Sequence, residues 1–316
     1  MEKRTLGRSP LQVAPLVFGG NVFGWTADAS SSFKLLDAFT DAGLNFIDTA
    51  DVYSRWVPGH KGGESETIIG QWLKKSGKRD QVVIATKVGA EMAPGKKGLS
   101  KAHIIQSVED SLQRLQTDHI DLYITHYDDL NTTILETLST YGELVKAGKV
   151  RAIGTSNMSA DRVKESLAVS QEHGLPRYES LQPEYNLYDR TPYEIDYEPL
   201  AIETGIGITP YYSLASGFLT GKYRGESDLS KSLRGGGIKK YLNERGTRIL
   251  NALDEVAKRY HATPAAVALA WMIARPSVTA PIASATSKEQ LESLVKATQL
   301  QLDRDAIEHL NVASAY

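Results

Sequence analysis

The sequence predicts a (β/α)8 barrel, the α/β fold in which eight parallel strands form a closed ring inside a ring of helices. Short apolar, β-branched runs alternate with segments of helical spacing eight times along the chain, a pattern typical of parallel βαβ units. The chain has 316 residues, and such a barrel takes about 250 residues plus insertions. No linker or low-complexity tract interrupts it. We therefore expect a single barrel domain over residues 1–316, with a β-hairpin ahead of it and an extra helix at its end.

The predicted strands are short, and most end in a glycine or a polar residue. In chain order they are residues 16–18, 45–49, 82–87, 120–126, 150–155, 180–182, 207–212 and 278–283. Two further short runs join across a Gly-Arg-Ser-Pro turn and predict the N-terminal hairpin. These runs are residues 4–6 and 11–13.

The predicted helices follow these strands and carry start and stop signals. Ser159 and Gly174, for example, are well placed as the N-cap and the C-terminal stop of the fifth helical segment. The helical segments are residues 31–42, 64–75, 101–115, 134–147, 160–173, 197–204, 244–260, 265–274, 288–298 and, at the end, 303–313. The glycine-rich stretch around residues 225–243 lies inside the seventh unit and predicts a mobile loop.

Composition and charge exclude several classes of protein. Lys and Arg number 36 against 38 Asp and Glu, a net charge of -2, so a basic footprint for nucleic acid or an anionic membrane is absent. The absence of cysteine removes disulfides, thiolate metal ligands and thiol nucleophiles, and the scattered histidines suggest no metal site. With no secretory signal and no apolar run near the roughly 18 residues of a membrane span, we expect a cytoplasmic protein. The sequence indicates no particular oligomeric state.

Polar side chains stand at the ends of three consecutive predicted strands. Asp48 ends the second strand, with Tyr53 in the loop beyond it, and Lys87 and His126 end the third and fourth. Catalytic residues of such barrels lie at the carboxyl ends of the strands, so we expect these four side chains to converge at one mouth. Taken singly, each of them would more often be structural than catalytic.

Their chemistry is complementary. A tyrosine is a proton donor with an ordinary pKa near 10, and a neighbouring Lys87 ammonium would stabilise the phenolate and lower the pKa of Tyr53. Asp48 would supply the counter-charge for Lys87, and His126 would donate a hydrogen bond to a substrate carbonyl. The four would protonate a carbonyl that receives a hydride. None of them can carry the hydride, so a cofactor is required.

Seven motifs resemble those of the aldo-keto reductases, and they occur in that family's order over nearly the whole chain. They are Asn-Phe-Ile-Asp-Thr-Ala-Asp-Val-Tyr at 45–53, Ala-Thr-Lys at 85–87, Asp-Leu-Tyr-Ile-Thr-His at 121–126, Gly-Thr-Ser-Asn at 154–157, Leu-Gln-Pro-Glu-Tyr-Asn at 181–186, Pro-Tyr-Tyr-Ser-Leu-Ala at 210–215 and Gly-Phe-Leu-Thr-Gly-Lys at 217–222. The resemblance implies NAD(P)H-dependent reduction of an aldehyde or ketone, or the reverse oxidation. Asp48, Tyr53, Lys87 and His126 match the family's catalytic tetrad, with Tyr53 as general acid.

The resemblance also implies which residues hold the nicotinamide cofactor. By it, Ser156, Asn157 and Gln182 hold the carboxamide and Tyr211 stacks on the ring. The full set of implied cofactor-binding residues is Gly20, Asn21, Val22, Asp48, Ser156, Asn157, Gln182, Tyr211, Leu214, Gly217, Leu219, Gly221, Lys222, Ser284, Thr286 and Gln290. No G-x-G-x-x-G follows a strand, so the sequence does not predict a Rossmann domain.

The segment after the eighth strand departs from the family's pattern. Gln290 is kept, but Thr286 stands where an arginine is common and Leu294 where an asparagine is common. Ser287 and Lys288, near a predicted helix start, could still bind a phosphate. NADP is the expected cofactor, with NAD or dual use as the alternative.

The substrate pocket is expected among the loops that follow the strands. Its candidate residues are the aromatics Trp25, Trp56, Tyr127 and Tyr185, which suit a flat or apolar carbonyl compound and also the face of a sugar. The loop at 222–243 would cover the cofactor.

Two other functions stay open from the sequence. One is a cofactor-binding regulatory or sensor protein with slow turnover, similar to the potassium-channel β-subunit branch of the superfamily. The other is a barrel hydrolase or lyase without nicotinamide, which the carboxamide-binding residues and Tyr211 disfavour.

Overall fold

The computed structural model describes residues 2–233 and 235–316. An antiparallel hairpin of β1 (Arg4–Thr5) and β2 (Gln12–Val13) opens the chain. Leu6 and Val13 of this segment are buried in one apolar cluster with residues of the barrel interior. The hairpin therefore covers the barrel at the end where the strands begin.

Eight parallel strands form the barrel. They are β3 (Val17–Gly19), β4 (Phe46–Asp48), β5 (Val83–Val88), β6 (Ile120–Thr125), β7 (Val150–Ser156), β8 (Tyr178–Gln182), β9 (Gly207–Ile208) and β10 (Ile282–Ala283). The hydrogen-bonded order is β10-β3-β4-β5-β6-β7-β8-β9. Backbone bonds from Thr279 N–H to the Ile208 carbonyl (2.8 Å) and from Ile282 N–H to the Pro210 carbonyl (2.9 Å) join the two ends of this order. The predicted (β/α)8 barrel is confirmed.

The helices surround this ring. They are α1 (Ala29–Asp41), α2 (Glu64–Ser76), α3 (Lys101–Leu115), α4 (Ile134–Lys146), α5 (Ala160–His173), α6 (Glu198–Thr204), α7 (Glu244–Arg259), α8 (Pro264–Ile273), α9 (Lys288–Ala297) and α10 (Arg304–Ser314). Ser159 caps α5 by accepting from Arg162 N–H, and Gly174 ends it at φ +63°, as the sequence predicts. The helix α10 is the expected extra C-terminal helix.

Apolar packing fills the lower half of the barrel and leaves the strand ends polar. Val17, Phe46, Ala85 and Leu122 are fully buried in the interior cluster, while a second and larger cluster lies between the strands and the helices. Side chains two residues further along these strands share the same inward face. The carboxyl ends of the strands are therefore where inward-facing polar side chains meet.

The structure differs from the sequence prediction around the seventh unit. The strands β9 and β10 are shorter than the predicted 207–212 and 278–283, and a π-helical turn over Tyr193–Tyr197 precedes α6. Within the predicted loop 222–243, 3-10 turns form at Glu226–Lys231 and Gly235–Tyr241. Arg234 of that loop lies outside the described residues. In the described part of the chain, no helix is long and apolar enough to cross a membrane.

Candidate active site

Strand register brings the first two candidate residues together. Asp48 is the last residue of β4 and pairs with Ala85 of β5. Lys87 lies two residues beyond Ala85, so it has the same inward orientation one pleat higher. The lysine side chain then reaches the carboxylate across the strand ends.

Lys87 is the centre of a buried set of hydrogen bonds. Its Nζ donates to Asp48 Oδ2 at 2.7 Å, to the Thr49 carbonyl at 2.8 Å and to Tyr53 Oη at 2.9 Å. The Tyr53 hydroxyl in turn donates to Asp48 Oδ2 at 3.2 Å. Asp48 and Lys87 are 1% and 2% exposed, so removing either partner would leave a buried charge unpaired.

The loop after β4 carries Tyr53 back over the strand ends. Tyr53 N–H donates to the Ala50 carbonyl at 3.2 Å, which closes a turn. Ser54, at φ +72°, then anchors the loop by donating from Oγ to the Phe23 carbonyl at 2.7 Å. Without this reversal the phenol could not reach Lys87 on the neighbouring strand.

Burial governs the ionisation of this group. It raises the pKa of Tyr53 well above its ordinary value, and the Asp48 carboxylate adds to that effect. Burial also lowers the pKa of Lys87, although Asp48 opposes the change. The expectation that Lys87 lowers the pKa of Tyr53 is therefore wrong for this arrangement, because desolvation and a nearby anion outweigh one ammonium. The phenol stays protonated at neutral pH, as a proton donor must.

His126 follows β6 and completes the four. Its backbone N–H donates to the Val88 carbonyl at 2.8 Å, and its ring stacks on Tyr127 with centroids 4.9 Å apart. Burial, with a contribution from the Lys87 charge, lowers the pKa of His126 well below its ordinary value. The imidazole is thus neutral at neutral pH, which suits a hydrogen-bond donor rather than an acid.

Asn157 links His126 to the residues expected at the nicotinamide. Its Nδ2 donates to the His126 carbonyl at 2.9 Å and to Ser156 Oγ at 3.2 Å, while its Oδ1 accepts from the Tyr211 hydroxyl at 3.1 Å. Asn157 has a left-handed φ of +48°, which asparagine tolerates better than most residues. This turn lets the amide lie between the ends of β6 and β9.

Gln182 ties the same group to the catalytic candidates. Its Nε2 donates to Asp48 Oδ1 at 2.9 Å, and its carbonyl accepts from Ser156 Oγ at 2.9 Å. Asp48 therefore holds Lys87 with one oxygen and Gln182 with the other. The structure brings the predicted tetrad and the predicted carboxamide residues into one network.

The loop after β3 packs directly against β4. A Cβ added to Gly20 would lie 2.8 Å from the Asp48 carbonyl oxygen, so no larger residue fits there without movement. Ser284 Oγ donates to Asn21 Oδ1 at 2.7 Å and joins this loop to the end of β10. The Val22 side chain is buried, so it offers a cofactor its backbone alone.

The segment after β9 forms a tight left-handed turn. The chain passes from φ -109° at Leu214 to +48° at Ala215, +55° at Ser216 and +98° at Gly217, and the N–H groups of Ala215 and Gly217 donate to the Tyr212 and Leu214 carbonyls at 2.6 and 2.9 Å. A Cβ on Gly217 would lie 3.6 Å from Lys222 Nζ, so an ammonium lies beside this turn. The Lys222 ammonium is the group in this segment that suits a pyrophosphate.

Two more of the predicted cofactor-binding residues, Leu219 and Gly221, follow this turn. Gly221 closes it at φ +79°, whereas Leu219 is fully buried and presents no side-chain surface to a ligand.

The predicted adenosine end lies at the start of α9. Thr286 donates from N–H and from Oγ1 to Gln290 Oε1, at 2.9 and 3.2 Å. Ser287 caps the helix by accepting from Gln290 N–H at 3.3 Å. Leu294 is 2% exposed in the core, so its side chain supplies none of the polar contacts of the asparagine common there.

Aromatic rings line the mouth beside Tyr53. Trp56 lies edge-on to Tyr53 at 6.0 Å and to Trp25 at 5.6 Å between centroids, and Tyr53 lies 6.1 Å from the His126 ring. Tyr127 stacks on His126 from the other side. Three of the four predicted pocket residues, Trp25, Trp56 and Tyr127, are thus together.

Tyr185 is not part of this group, and its predicted place in the pocket is wrong. It is fully buried, its hydroxyl donates to Glu194 Oε1 at 2.8 Å, and its ring lies 4.2 Å from Tyr193 and 5.7 Å from Trp271. The chain after β8 turns this side chain toward α8, and sequence position alone does not reveal such a turn.

A second set of charges beneath the site was not identified from the sequence. Glu66 of α2 is fully buried, accepts from Thr86 Oγ1 at 2.6 Å and pairs with Arg114 of α3 at 2.6 Å. Asp51 is 1% exposed, and neither carboxyl oxygen has a hydrogen-bond partner. Burial, and next the Glu66 charge, raises the pKa of Asp51 to about 8. The sequence signal that could have identified this set is Asp51 itself, an acidic residue inside the otherwise buried motif at 45–53.

No group of three His, Cys, Asp or Glu among residues 2–233 and 235–316 could hold a metal ion.

Comparison with known proteins agrees with this arrangement. Residues 15–314 match the model of the aldo/keto reductase family. The chain is 34% identical to a Bacillus subtilis protein called uncharacterized oxidoreductase YrpG, over 98% of this chain and 95% of that protein. It is 35% identical to the aldo-keto reductase YhdN of the same species, over 93% and 86%. It is also 34% identical to a probable voltage-gated potassium channel subunit beta of rice, Oryza sativa, over 94% and 91%.

The family match spans nearly the whole barrel, and the oxidoreductase-named relatives are similar over nearly their full length. Family membership implies oxidoreduction with a nicotinamide cofactor. The chain is therefore an oxidoreductase that belongs to the aldo/keto reductase family.

Proposed function

We propose that this protein reduces an aldehyde or ketone to an alcohol with NADPH, or runs the reverse oxidation, and that Tyr53 is the proton donor. The observation that carries the proposal is the position of the Tyr53 hydroxyl, 2.9 Å from Lys87 Nζ and 3.2 Å from Asp48 Oδ2 at the barrel mouth. His126 and the Gln182 network lie around it. A carbonyl oxygen that arrives there meets a protonated phenol.

The cofactor would lie across the strand ends. Ser156, Asn157 and Gln182 would hold its carboxamide, Tyr211 would stack on its ring, and Lys222 beside the turn at 214–217 would hold its pyrophosphate. When bound, the nicotinamide supplies the hydride. The Tyr211 hydroxyl already bonds Asn157 at 3.1 Å, which fixes the ring next to the carboxamide-binding residues.

The proton moves from Tyr53 Oη to the substrate oxygen. The phenolate that remains is stabilised by the Lys87 ammonium, which donates to the same oxygen at 2.9 Å. Lys87 thus stabilises the transition state, in which negative charge develops on the Tyr53 oxygen, although it does not lower the pKa of the resting phenol. Neutral His126 donates a hydrogen bond that orients and polarises the carbonyl.

A second function rests on the potassium-channel relatives. The chain is 34% identical to the probable channel subunit beta of rice, so a regulatory protein with a bound cofactor and slow turnover is the competing proposal. Intact geometry at Tyr53, Lys87, Asp48 and His126 favours the enzyme, because a sensor alone needs no proton donor beside an ammonium.

The test is a fluorescence titration followed by a turnover assay. Tryptophans 25 and 56 lie at the mouth, so we expect NADPH or NADH to quench their emission, and the cofactor to be consumed with a panel of aldehydes and ketones. No quenching with either nucleotide at high concentration would contradict the proposal. Tight binding with no turnover of any carbonyl would favour the regulatory alternative.

We expect Thr286→Arg to raise the preference for NADPH over NADH about tenfold, or about 1.4 kcal/mol. A guanidinium at the start of α9 would bind a 2′-phosphate in bidentate fashion, and Thr286 now bonds only Gln290. The measurement is the ratio of the two dissociation constants. Thr298→Arg, at the other end of α9, is the control and should leave this ratio unchanged. If the ratio is the same in both variants, the 2′-phosphate is read elsewhere.

A further inference from the structure

Asn186, the last residue of the motif at 181–186, is a buried amide whose hydrogen-bonding groups are all in use. Its side chain is fully buried. Its Oδ1 accepts from the N–H groups of Tyr188 and Asp189, at 2.8 and 2.9 Å. Its Nδ2 donates to the Tyr212 carbonyl at 3.1 Å and to Asp189 Oδ2 at 3.2 Å. An asparagine amide offers two N–H donors and one acceptor oxygen with two lone pairs, so these four bonds fix its orientation.

The bond to the Tyr212 carbonyl holds a backbone conformation that bulky residues rarely adopt. Tyr212 has a φ of +55°, in the left-handed region. Its carbonyl accepts from Ala215 N–H at 2.6 Å, within the same turn, and from Asn186, which lies in the loop after β8. A conformation of this kind persists only where surrounding contacts hold it. Asn186 supplies the contact that comes from a different loop.

The position of Tyr211 depends on the same stretch of backbone. Its N–H donates to the Pro183 carbonyl at 2.9 Å, and its own carbonyl accepts from Tyr185 N–H at 3.4 Å. Tyr212 follows it directly, so a change in the φ of Tyr212 rotates the peptide plane that joins the two residues. If the left-handed conformation relaxed, the Tyr211 ring would therefore shift from the place where it is proposed to stack on the nicotinamide.

Asp189 links the same amide to residues 235–241, part of the loop expected to cover the cofactor. Asp189 Oδ2 accepts from Tyr241 Oη at 3.0 Å as well as from Asn186. The Tyr241 ring in turn stacks on Phe218, with centroids 5.1 Å apart and an interplanar angle of 19°. One carboxylate oxygen thus receives both the amide of Asn186 and the hydroxyl of the covering loop.

We propose that Asn186 is a positioning residue for hydride transfer, which holds the backbone that presents Tyr211 to the nicotinamide and connects that backbone through Asp189 to residues 235–241. The inference rests on the proposed reductase function. Because the amide is fully buried and its groups are used within the protein, it acts through Tyr211. Docking of residues 235–241 and alignment of the Tyr211 ring are then linked, since both depend on the orientation of one amide.

The test compares Asn186→Ser with Asn45→Ser in the whole protein. A serine hydroxyl at 186 can still accept from the N–H groups two and three residues further on, but it is too short to donate to the Tyr212 carbonyl. Asn45 is the matched control at the opposite end of the barrel. It is 6% exposed, its Oδ1 accepts from Ala14 N–H at 2.8 Å, and its Nδ2 donates to the Gln12 carbonyl at 2.9 Å.

Three quantities are measured: the single-turnover rate of hydride transfer to saturating 4-nitrobenzaldehyde, the Kd of NADPH, and Tm. Both variants should lower Tm, because each loses a buried hydrogen bond. We expect only Asn186→Ser to slow hydride transfer, by roughly 10–100-fold, since small displacements of reacting groups cost that much. Its Kd should stay within about threefold of wild type, because an interaction that aligns the reacting atoms contributes mainly to the transition state.

Tyr241→Phe tests the connection to the covering loop and leaves Asn186 itself intact, so it is informative even if Asn186→Ser does not fold. It should slow hydride transfer about threefold, the effect of one hydrogen bond. The double variant should be no slower than Asn186→Ser, because both changes act through Asp189. Tyr223→Phe is the control, since Tyr223 is fully buried and its hydroxyl bonds Ser232 Oγ at 2.5 Å within the same loop. It should leave the rate unchanged.

The inference is overturned if Asn186→Ser transfers hydride at the wild-type rate, or if Asn45→Ser slows transfer to the same extent. Additive effects of Asn186→Ser and Tyr241→Phe would break the connection through Asp189. These results leave carbonyl reduction itself intact. The proposed function fails separately, if wild-type protein reduces no carbonyl compound with either nucleotide.

Discussion

Replacing Tyr53 with phenylalanine is expected to slow single-turnover hydride transfer to a saturating aldehyde by about 10²–10⁴-fold, the usual contribution of general acid catalysis. Without the phenol, the developing alkoxide loses its direct proton donor, because His126 has a pKa well below its ordinary value and is neutral, and the Lys87 ammonium is bonded to Asp48 and the Thr49 carbonyl. Affinity for NAD(P)H should change little, since the hydroxyl bonds Lys87 and Asp48 rather than the carboxamide-binding residues.

Tyr123→Phe is the matched control for this experiment. Tyr123 of β6 is fully buried, and its hydroxyl has no hydrogen-bond partner, so the same chemical change should leave hydride transfer at the wild-type rate. Lys87→Met should also slow transfer, but it leaves Asp48 buried without its cation and destabilises the fold by about 3–5 kcal/mol. If Tyr53→Phe transfers hydride normally while His126→Ala does not, the histidine is the donor.

The second large effect concerns stability and pH. Asp51 keeps its proton in the folded protein until about pH 8, whereas an unfolded aspartate loses it near pH 4. The stability associated with this group is therefore fully present below pH 4 and is lost as the pH rises toward 8. Asp51→Asn cannot ionise. We expect its free energy of unfolding, relative to wild type, to rise by about 1.4 kcal/mol per pH unit, or roughly 4 kcal/mol from pH 5 to pH 8.

Urea unfolding at each pH unit from 5 to 8 measures this difference. The charges that act on Asp51 come from three neighbouring elements: Glu66 of α2 raises its pKa, and Arg114 of α3 and Lys87 of β5 lower it. Asp28→Asn is the control, because Asp28 is an exposed N-cap whose pKa is lowered by its bond to Ser31 N–H, and asparagine caps equally well. A stability difference for Asp51→Asn that is independent of pH would mean that Asp51 is ionised in the folded protein.

The barrel could be predicted because its signals are local. Each strand is a short apolar run and each helix has an apolar face with a cap or a stop, as α5 shows with Ser159 and Gly174. The errors fall where tertiary contacts override these signals. The chain beyond β9 stays paired through Tyr211, whose N–H donates to the Pro183 carbonyl at 2.9 Å, and turns away at Tyr212, which is left-handed and held by Asn186; no propensity at either residue indicates this.

The candidate site was likewise predicted where local signals suffice and missed where packing decides. Asp48, Lys87 and His126 lie at or next to the ends of consecutive strands, so a barrel by itself brings them together. Tyr53 lies in the loop that follows Asp48, so it is expected at the same mouth. Tyr185 was misplaced and Asp51 was missed, because the direction of a loop side chain and the depth of a carboxyl group depend on packing.

From sequence alone came the barrel, the family resemblance and the residue types at the strand ends, since period, caps and motifs are written in neighbouring positions. The ionisation states of the site residues depend on the three-dimensional structure. The sequence predicts that Lys87 lowers the pKa of Tyr53, yet in the folded protein the pKa of Tyr53 is raised, because desolvation and the neighbouring Asp48 act on the same phenol. Burial sums the effects of residues that are distant along the chain, and the free energy of a charge depends on that sum.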